Sequence, residues 1–245
     1  MKIGKVKAMI AAAVIVLGFG AYWMYEEMTG NHVEIESVIN QSPAEETSAE
    51  VAEEVSADAS EEADADAGNA GEAASIDGLW NISSDSKVYF SVTTSKETVN
   101  YEVSQVTGSW TVNGADPAQN QAEGVVQMAS MDSGNSQRDG HISGAQYLDI
   151  EQFPTATFKA TSFEGLPSEW TDGQIYTVNI KGDLTVKGVT KEVAFTGQTT
   201  YDGGLLMLEA STVVTFADFG MKSPHNIVMD SENNLNVTLR LVLNK

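Results

Sequence analysis

Residues 175–201, IYTVNIKGDLTVKGVTKEVAFTGQTTY, decide the fold of this chain. Two runs of period two, 175–186 and 189–201, are separated only by Lys187 and Gly188. Two residues suffice for a β-hairpin, whereas a parallel crossover needs a dozen or more. The two runs are therefore expected to pair antiparallel.

Working outward, the same period recurs on both sides. Val88, Phe90 and Val92 alternate with polar residues in KVYFSVTT, as do Val99, Tyr101 and Val103 in TVNYEVSQV. EGVVQMAS, ATFKATSF and LLMLEASTVVTF follow, and the last run sets Leu235, Val237, Leu239, Leu241 and Leu243 against Asn236, Thr238 and Arg240. Such alternation marks strands with one apolar face. With the hairpin the runs number eight, and only residues 134–153 are long enough for a crossover. Eight antiparallel strands in series close most economically into an up-and-down barrel, which leaves no exposed edge. A two-sheet sandwich satisfies the same period.

The remaining third is built differently. Lys2, Lys5 and Lys7 precede an apolar run from Ala8 to Tyr25, and Glu26 and Glu27 follow at once. At 1.5 Å per residue that run spans about 27 Å as a helix, enough for a bilayer core. Basic residues before it and acidic ones after it place the amino terminus inside and the rest outside the cytoplasm. A cleaved signal peptide would share the basic start, but Tyr22, Trp23 and Tyr25 stand where its small cleavage-site residues belong. The expected organisation is a basic segment at 1–7, a transmembrane signal anchor at 8–25, an acidic disordered linker at 26–78 and a β domain at 79–245.

The net charge of −22 is concentrated in that linker. Residues 26–78 hold sixteen Asp or Glu and no Lys or Arg, against nineteen acids and ten bases over 79–245. A domain of that sign, without a basic stripe, repels phosphate backbones, so no nucleic acid is expected as partner. The linker lacks the apolar content needed to offset its ordering entropy, and as a coil would reach about 40 Å. With no cysteine in the chain, disulfides, acyl-cysteine anchors and thiolate metal sites are excluded.

Residues 131–141, MDSGNSQRDGH, gather Arg138, Asp139 and His141 in one loop. Gly134 and Asn135 suit positive φ and turn the chain out of a strand ending near Met131. Arg138 offers a fork of donors for Asp139, another carboxylate or strand-end carbonyls, and His141 would open a short helix. Ser133, Ser136, Asp132, Asp139 and His141 can be drawn as a catalytic group, yet no glycine-flanked nucleophile or second motif supports it, so no enzyme is expected. Asp139 and His141 are too few for a metal site, with His32 and His225 far away in sequence. The loop reads as a polar latch on one barrel end, with contact to a ligand head group as the second role.

The stretch at 132–163, DSGNSQRDGHISGAQYLDIEQFPTATFKATSF, followed by GDLTVKGVTKEVAF at 182–195, resembles the YceI family of lipocalin-like polyisoprenoid-binding proteins of bacterial envelopes. FPTATF at 153–158, LTVKGVTKEV at 184–193 and FADFGM at 216–221 carry the resemblance in the same order. It implies an all-β fold: an eight-stranded antiparallel lipocalin-like barrel with a short helix, binding an isoprenoid lipid of quinone or polyprenyl type without catalysis. Phe90, Val92, Tyr101, Phe158, Val178, Ile180, Phe195, Leu208 and Leu239 would then line a ligand cavity, whereas periodicity alone would make them a filled core. No cofactor is expected beyond such a lipid or quinone, the membrane would be reached through the anchor, and no protein partner is named. The alternative is an envelope scaffold whose barrel is filled and whose loops bind protein.

Overall fold

The computed structural model describes residues 30–39, 73–94, 97–222 and 231–245. Strand β1 (Ala73–Ala74) leads into β2 (Gly78–Ile82), β3 (Lys87–Thr94), β4 (Thr98–Val103), β5 (Val106–Val112), β6 (Gln121–Gln127) and β7 (Met131–Asp132). Helix α1 (Ser136–Ser143) follows, then β8 (Thr155–Glu164), β9 (Trp170–Thr171), β10 (Ile175–Val186), β11 (Val189–Asp202), β12 (Leu205–Thr215) and β13 (Ser231–Asn244).

All pairings are antiparallel, and the order β2-β5-β6-β8-β10-β11-β12-β13 returns from β13 to β2, so the sheet closes. The sequence-level runs fall on this ring in order, and the closed barrel replaces the sandwich. Three of the eight courses are broken. β3 lies beyond β2 along the same edge of β13, and β4 pairs with both β3 and β7. At the first break Ser86 replaces a ladder residue: its hydroxyl donates to the Val242 carbonyl and accepts from the Val242 amide. Strands β2 and β5, which carry Trp80 and Trp110, extend the first two courses beyond the runs visible in sequence.

The 175–201 hairpin forms as expected. Val186 faces Val189, and Lys187 (φ 50°) and Gly188 (φ 73°) both take the left-handed values that a type I′ turn requires. Gly182, at an irregularity midway along β10, serves close approach instead, because a Cβ there would run into the Lys159 carbonyl of β8 and meet the Phe158 ring at 2.6 Å.

Two stretches of the wall at the α1 end have no main-chain ladder: β11 pairs with β12 only from Thr196 onward, and the seam between β7 and β8 is unpaired. β6 and β8 pair from Glu123↔Lys159 to Gln127↔Thr155, and beyond that point β7 pairs with β4 alone. Helix α1 and the turns of residues 144–154 occupy this region. Asn135 caps the helix, its side-chain oxygen accepting from the Gln137 and Arg138 amides. The opposite end is packed by Ile76, Trp80, Trp110 and Trp170, with the Trp80 indole donating to the Ile76 carbonyl at 2.7 Å.

The stretch from 26 to 78 is not free throughout. Ala73 and Ala74 pair with Thr171 and Trp170, and Ile76 is buried. Residues 30–39 lie against the outer wall of the barrel, held by Arg138, Asn100, Arg240 and Glu209. Within the expected disordered linker at 26–78, residues 30–39 and 73–78 are therefore held against the barrel, and residues 26–29 and 40–72 lie outside the described residues. Val33, Ile35, Val38 and Ile39 make the first of these segments less polar than the Ala/Glu/Asp-rich stretch that follows. The expected anchor at 8–25 lies outside the described residues, and among the described residues no helix is long and apolar enough to cross a membrane.

Candidate functional site: an apolar cavity beneath a short helix

The barrel interior is not filled. It holds a cavity of about 160 Å³, roughly ten times the space one water molecule needs. Ser109, Glu123 and Thr157 border it but contribute almost no polar surface, so a guest meets hydrocarbon and aromatic carbon. Such a space offers an apolar chain dispersion contacts and offers a polar group nothing to replace water.

Six of the nine residues expected at the cavity line it: Phe90, Phe158, Ile180, Phe195, Leu208 and Leu239. The Phe158 and Phe195 rings meet edge to face at 5.1 Å. Three do not line it. Val92 and Tyr101 belong to the core at the α1 end, and Val178 to the core at the tryptophan end. All three point inward, as their period requires, but they lie above or below the open space. Alternation gives the face of a strand and not the depth along the barrel axis.

Val88, Val237 and Leu241 also line the cavity and belong to alternating runs already visible in sequence. Trp110 lines it from the opposite end. Ile142, Tyr147, Leu148, Phe219 and Met221 close the α1 end. These five come from α1 and irregular segments, where period two carries no signal.

The 131–141 loop is built otherwise than its sequence suggests. Gly134 has a positive φ of 74°, whereas Asn135 is extended at −141° and acts as the helix cap. His141 does not open the helix: it lies in the last turn, exposed, its ring 5.0 Å from that of Tyr147. Asp139 accepts from the Ser133 amide at 3.0 Å and so ties the helix to the strand end. Arg138 holds neither Asp139 nor a strand-end carbonyl; both terminal nitrogens donate to the Gly30 carbonyl, at 3.2 and 3.1 Å. The latch thus fastens α1 to a segment more than a hundred residues earlier. Nearby, burial pushes the Tyr101 phenol well above its ordinary value, with Arg138 opposing the rise and Asp139 adding to it.

Among the described residues no three His, Asp or Glu side chains gather as a metal site. His32 lies exposed in the segment at 30–39, and His225 falls outside the described residues.

The YceI-like domain family matches residues 80–243 of this chain. A UPF0312 protein of Pseudomonas putida (strain GB-1) is 31% identical over 123 residues, which cover 48% of this chain and 60% of that protein. A UPF0312 protein of Photorhabdus laumondii is 31% identical over 122 residues, covering 47% of this chain and 59% of its own length. The matched stretch thus spans less than two thirds of these relatives. The crystal structure of Burkholderia cenocepacia BcnA superposes with a TM-score of 0.55 at 19% identity, covering 66% of this chain and 98% of that one. A polyisoprenoid binding domain from Saccharophagus degradans, implicated in plant cell wall breakdown, gives 0.55 at 12% identity over 68% of this chain and 97% of its own. Likeness at these identities establishes the barrel fold.

Proposed function

Since the chain belongs to the YceI-like domain family, we propose that its barrel binds one lipid chain of isoprenoid type, a quinone or polyprenyl lipid, without covalent chemistry. The observation that carries this reading is the cavity, walled by strands and apolar over almost its whole surface. The likeness to the polyisoprenoid binding domain from Saccharophagus degradans supports it. In this reading Phe90, Phe158, Ile180, Phe195, Leu208 and Leu239 contact the chain, while Arg138, Asp139 and His141 belong to the closure.

The apolar run from Ala8 to Tyr25 would hold the barrel on the extracytoplasmic side of the cytoplasmic membrane. The lipid's alternative surroundings are then the bilayer itself, as apolar as the cavity, so transfer gains little from the hydrophobic effect. Selection falls to the shape of the cavity and its aromatic lining.

The test is mass spectrometry of an organic extract from the barrel, residues 73–245, purified without detergent, followed by titration with an isoprenoid quinone. A stoichiometric prenyl lipid, or saturable uptake with a one-to-one end point, is the expected result. An empty barrel that takes up no quinone would remove the assignment.

A further inference from the structure

Residues 30–39 form an extended strap across the outside of the barrel. At its start the Gly30 amide donates to Glu97 Oε1 at 2.8 Å and its carbonyl accepts from Arg138 of α1. Next, Asn31 Oδ1 accepts from the Asn100 amide, and Asn100 Nδ2 donates to the Val33 carbonyl, both at 2.9 Å. Glu36 pairs with Lys87 at 3.5 Å, and its carbonyl accepts from Arg240 Nε at 2.9 Å. The strap ends where Glu209 Oε1 accepts from the amides of Val38 and Ile39, at 2.6 and 2.8 Å. It therefore passes over β4, β3, β13 and β12 in turn.

The wall beneath the strap is shaped for it. Tyr89 points outward between the cavity-lining Val88 and Phe90, yet it is 0% exposed, with Glu36 beside it. Glu209 also meets Arg240 at 3.5 Å, and both side chains are largely covered. These outward-facing groups are buried or spent on a segment that composition assigns to a solvated linker.

The direction of the strap has a consequence for the membrane. It starts at the α1 end, where Glu97 and Arg138 lie, and finishes farther down the wall at Glu209. Only residues 26–29 separate Gly30 from Tyr25, the last residue of the apolar run. Five steps of chain span at most about 18 Å, whereas a fourteen-residue strand such as β11 is about 46 Å long. We propose that the strap fixes the barrel with its α1 end toward the lipid surface, so that the unladdered seam faces the headgroups. This rests on reading Ala8 to Tyr25 as a membrane anchor. The acidic sequence 40–72 then lies between Ile39 and Ala73 in the chain and is not the connection to the membrane.

The absence of cysteine gives a direct test with the full chain. Ala145→Cys beside α1 and Asp202→Cys at the opposite end, both exposed, are labelled singly with a fluorophore. The proteins are reconstituted into phosphatidylethanolamine/phosphatidylglycerol vesicles carrying a headgroup nitroxide lipid. Quenching is expected to be several-fold stronger at 145 than at 202. Inserting about twenty Gly and Ser residues between Thr29 and Gly30 adds roughly 25 Å of reach and should abolish the difference while leaving the strap in place. Equal quenching at the two sites, or an insertion without effect, overturns the orientation while the anchor stands. A protein that fails to float with the vesicles overturns the anchor and the orientation together. Lipid content of the purified barrel is read separately, so loss of either leaves the cavity assignment to its own test.

Discussion

The Phe90 and Tyr101 rings lie parallel, 4° apart in tilt with centroids 4.5 Å apart. They face each other across the β3–β4 pairing, one lining the cavity and the other in the core behind it. Tyr101 thus holds the Phe90 wall in place without facing the open space. Tyr101→Ala is expected to cost about 3–5 kcal/mol in urea denaturation, the range for truncating a buried aromatic. Tyr101→Phe keeps the stack and should lose much less. Equal losses for the two would mean that the hydroxyl, and not the ring contact, supports this wall.

Filling the cavity separates binding from folding. Leu239→Trp places an indole into space that is open, and it should leave the β-sheet circular dichroism unchanged. Its affinity for an isoprenoid quinone is expected to fall by about tenfold or more, equivalent to roughly 1.4 kcal/mol. Undiminished quinone uptake would place the guest elsewhere.

The strap has a single-residue fastening at Glu209. Glu209→Ala removes the acceptor of the Val38 and Ile39 amides and leaves Arg240 without its carboxylate. Hydrogen exchange of those amides should accelerate sharply, with a stability loss of about 1.5–3 kcal/mol, the range for bonds to a charged group. Unchanged exchange at 37–39 would show that other contacts hold the strap.

The Lys191 ammonium, 2.9 Å from Asp218 Oδ1, and the Thr215 hydroxyl and amide on Oδ2 hold the Asp218 carboxyl below its ordinary value. The folded value lies below the unfolded one, so the stabilisation is complete above the unfolded carboxylate range, about pH 4. It is lost as the pH falls through the folded value. Asp218→Asn should therefore reduce the slope of stability against pH on the acid side while making the protein less stable at neutral pH. Parallel acid limbs for wild type and variant in thermal melts would contradict this.

The 175–201 hairpin and the apolar face of β13 could be read from sequence because pleat and turn are local: the residues that set them are neighbours in the chain. For the same reason Phe158, Ile180 and Phe195 share the inward face of their strands and line the cavity. Val92, Tyr101 and Val178 were misplaced at the cavity because their depth depends on where the barrel is plugged, by α1 at one end and tryptophans at the other. The strap was hidden for a different reason. Its partners, Asn100, Arg138, Glu209 and Arg240, are ordinary surface residues until the ring brings them onto one wall. Val33, Ile35, Val38 and Ile39 were the local hint.

The seam beside β7 changes what stability and exchange have to do with one another. Where strands are laddered, parting them would rupture several amide–carbonyl bonds and begin to unfold the molecule. Where α1 stands in, a passage would have to displace only side chains such as Ile142 and Tyr147, much as a cork leaves a bottle whose glass stays whole. Guest residence time should consequently track the hold on that stopper, and it should be nearly indifferent to changes that toughen or soften the rest of the vessel.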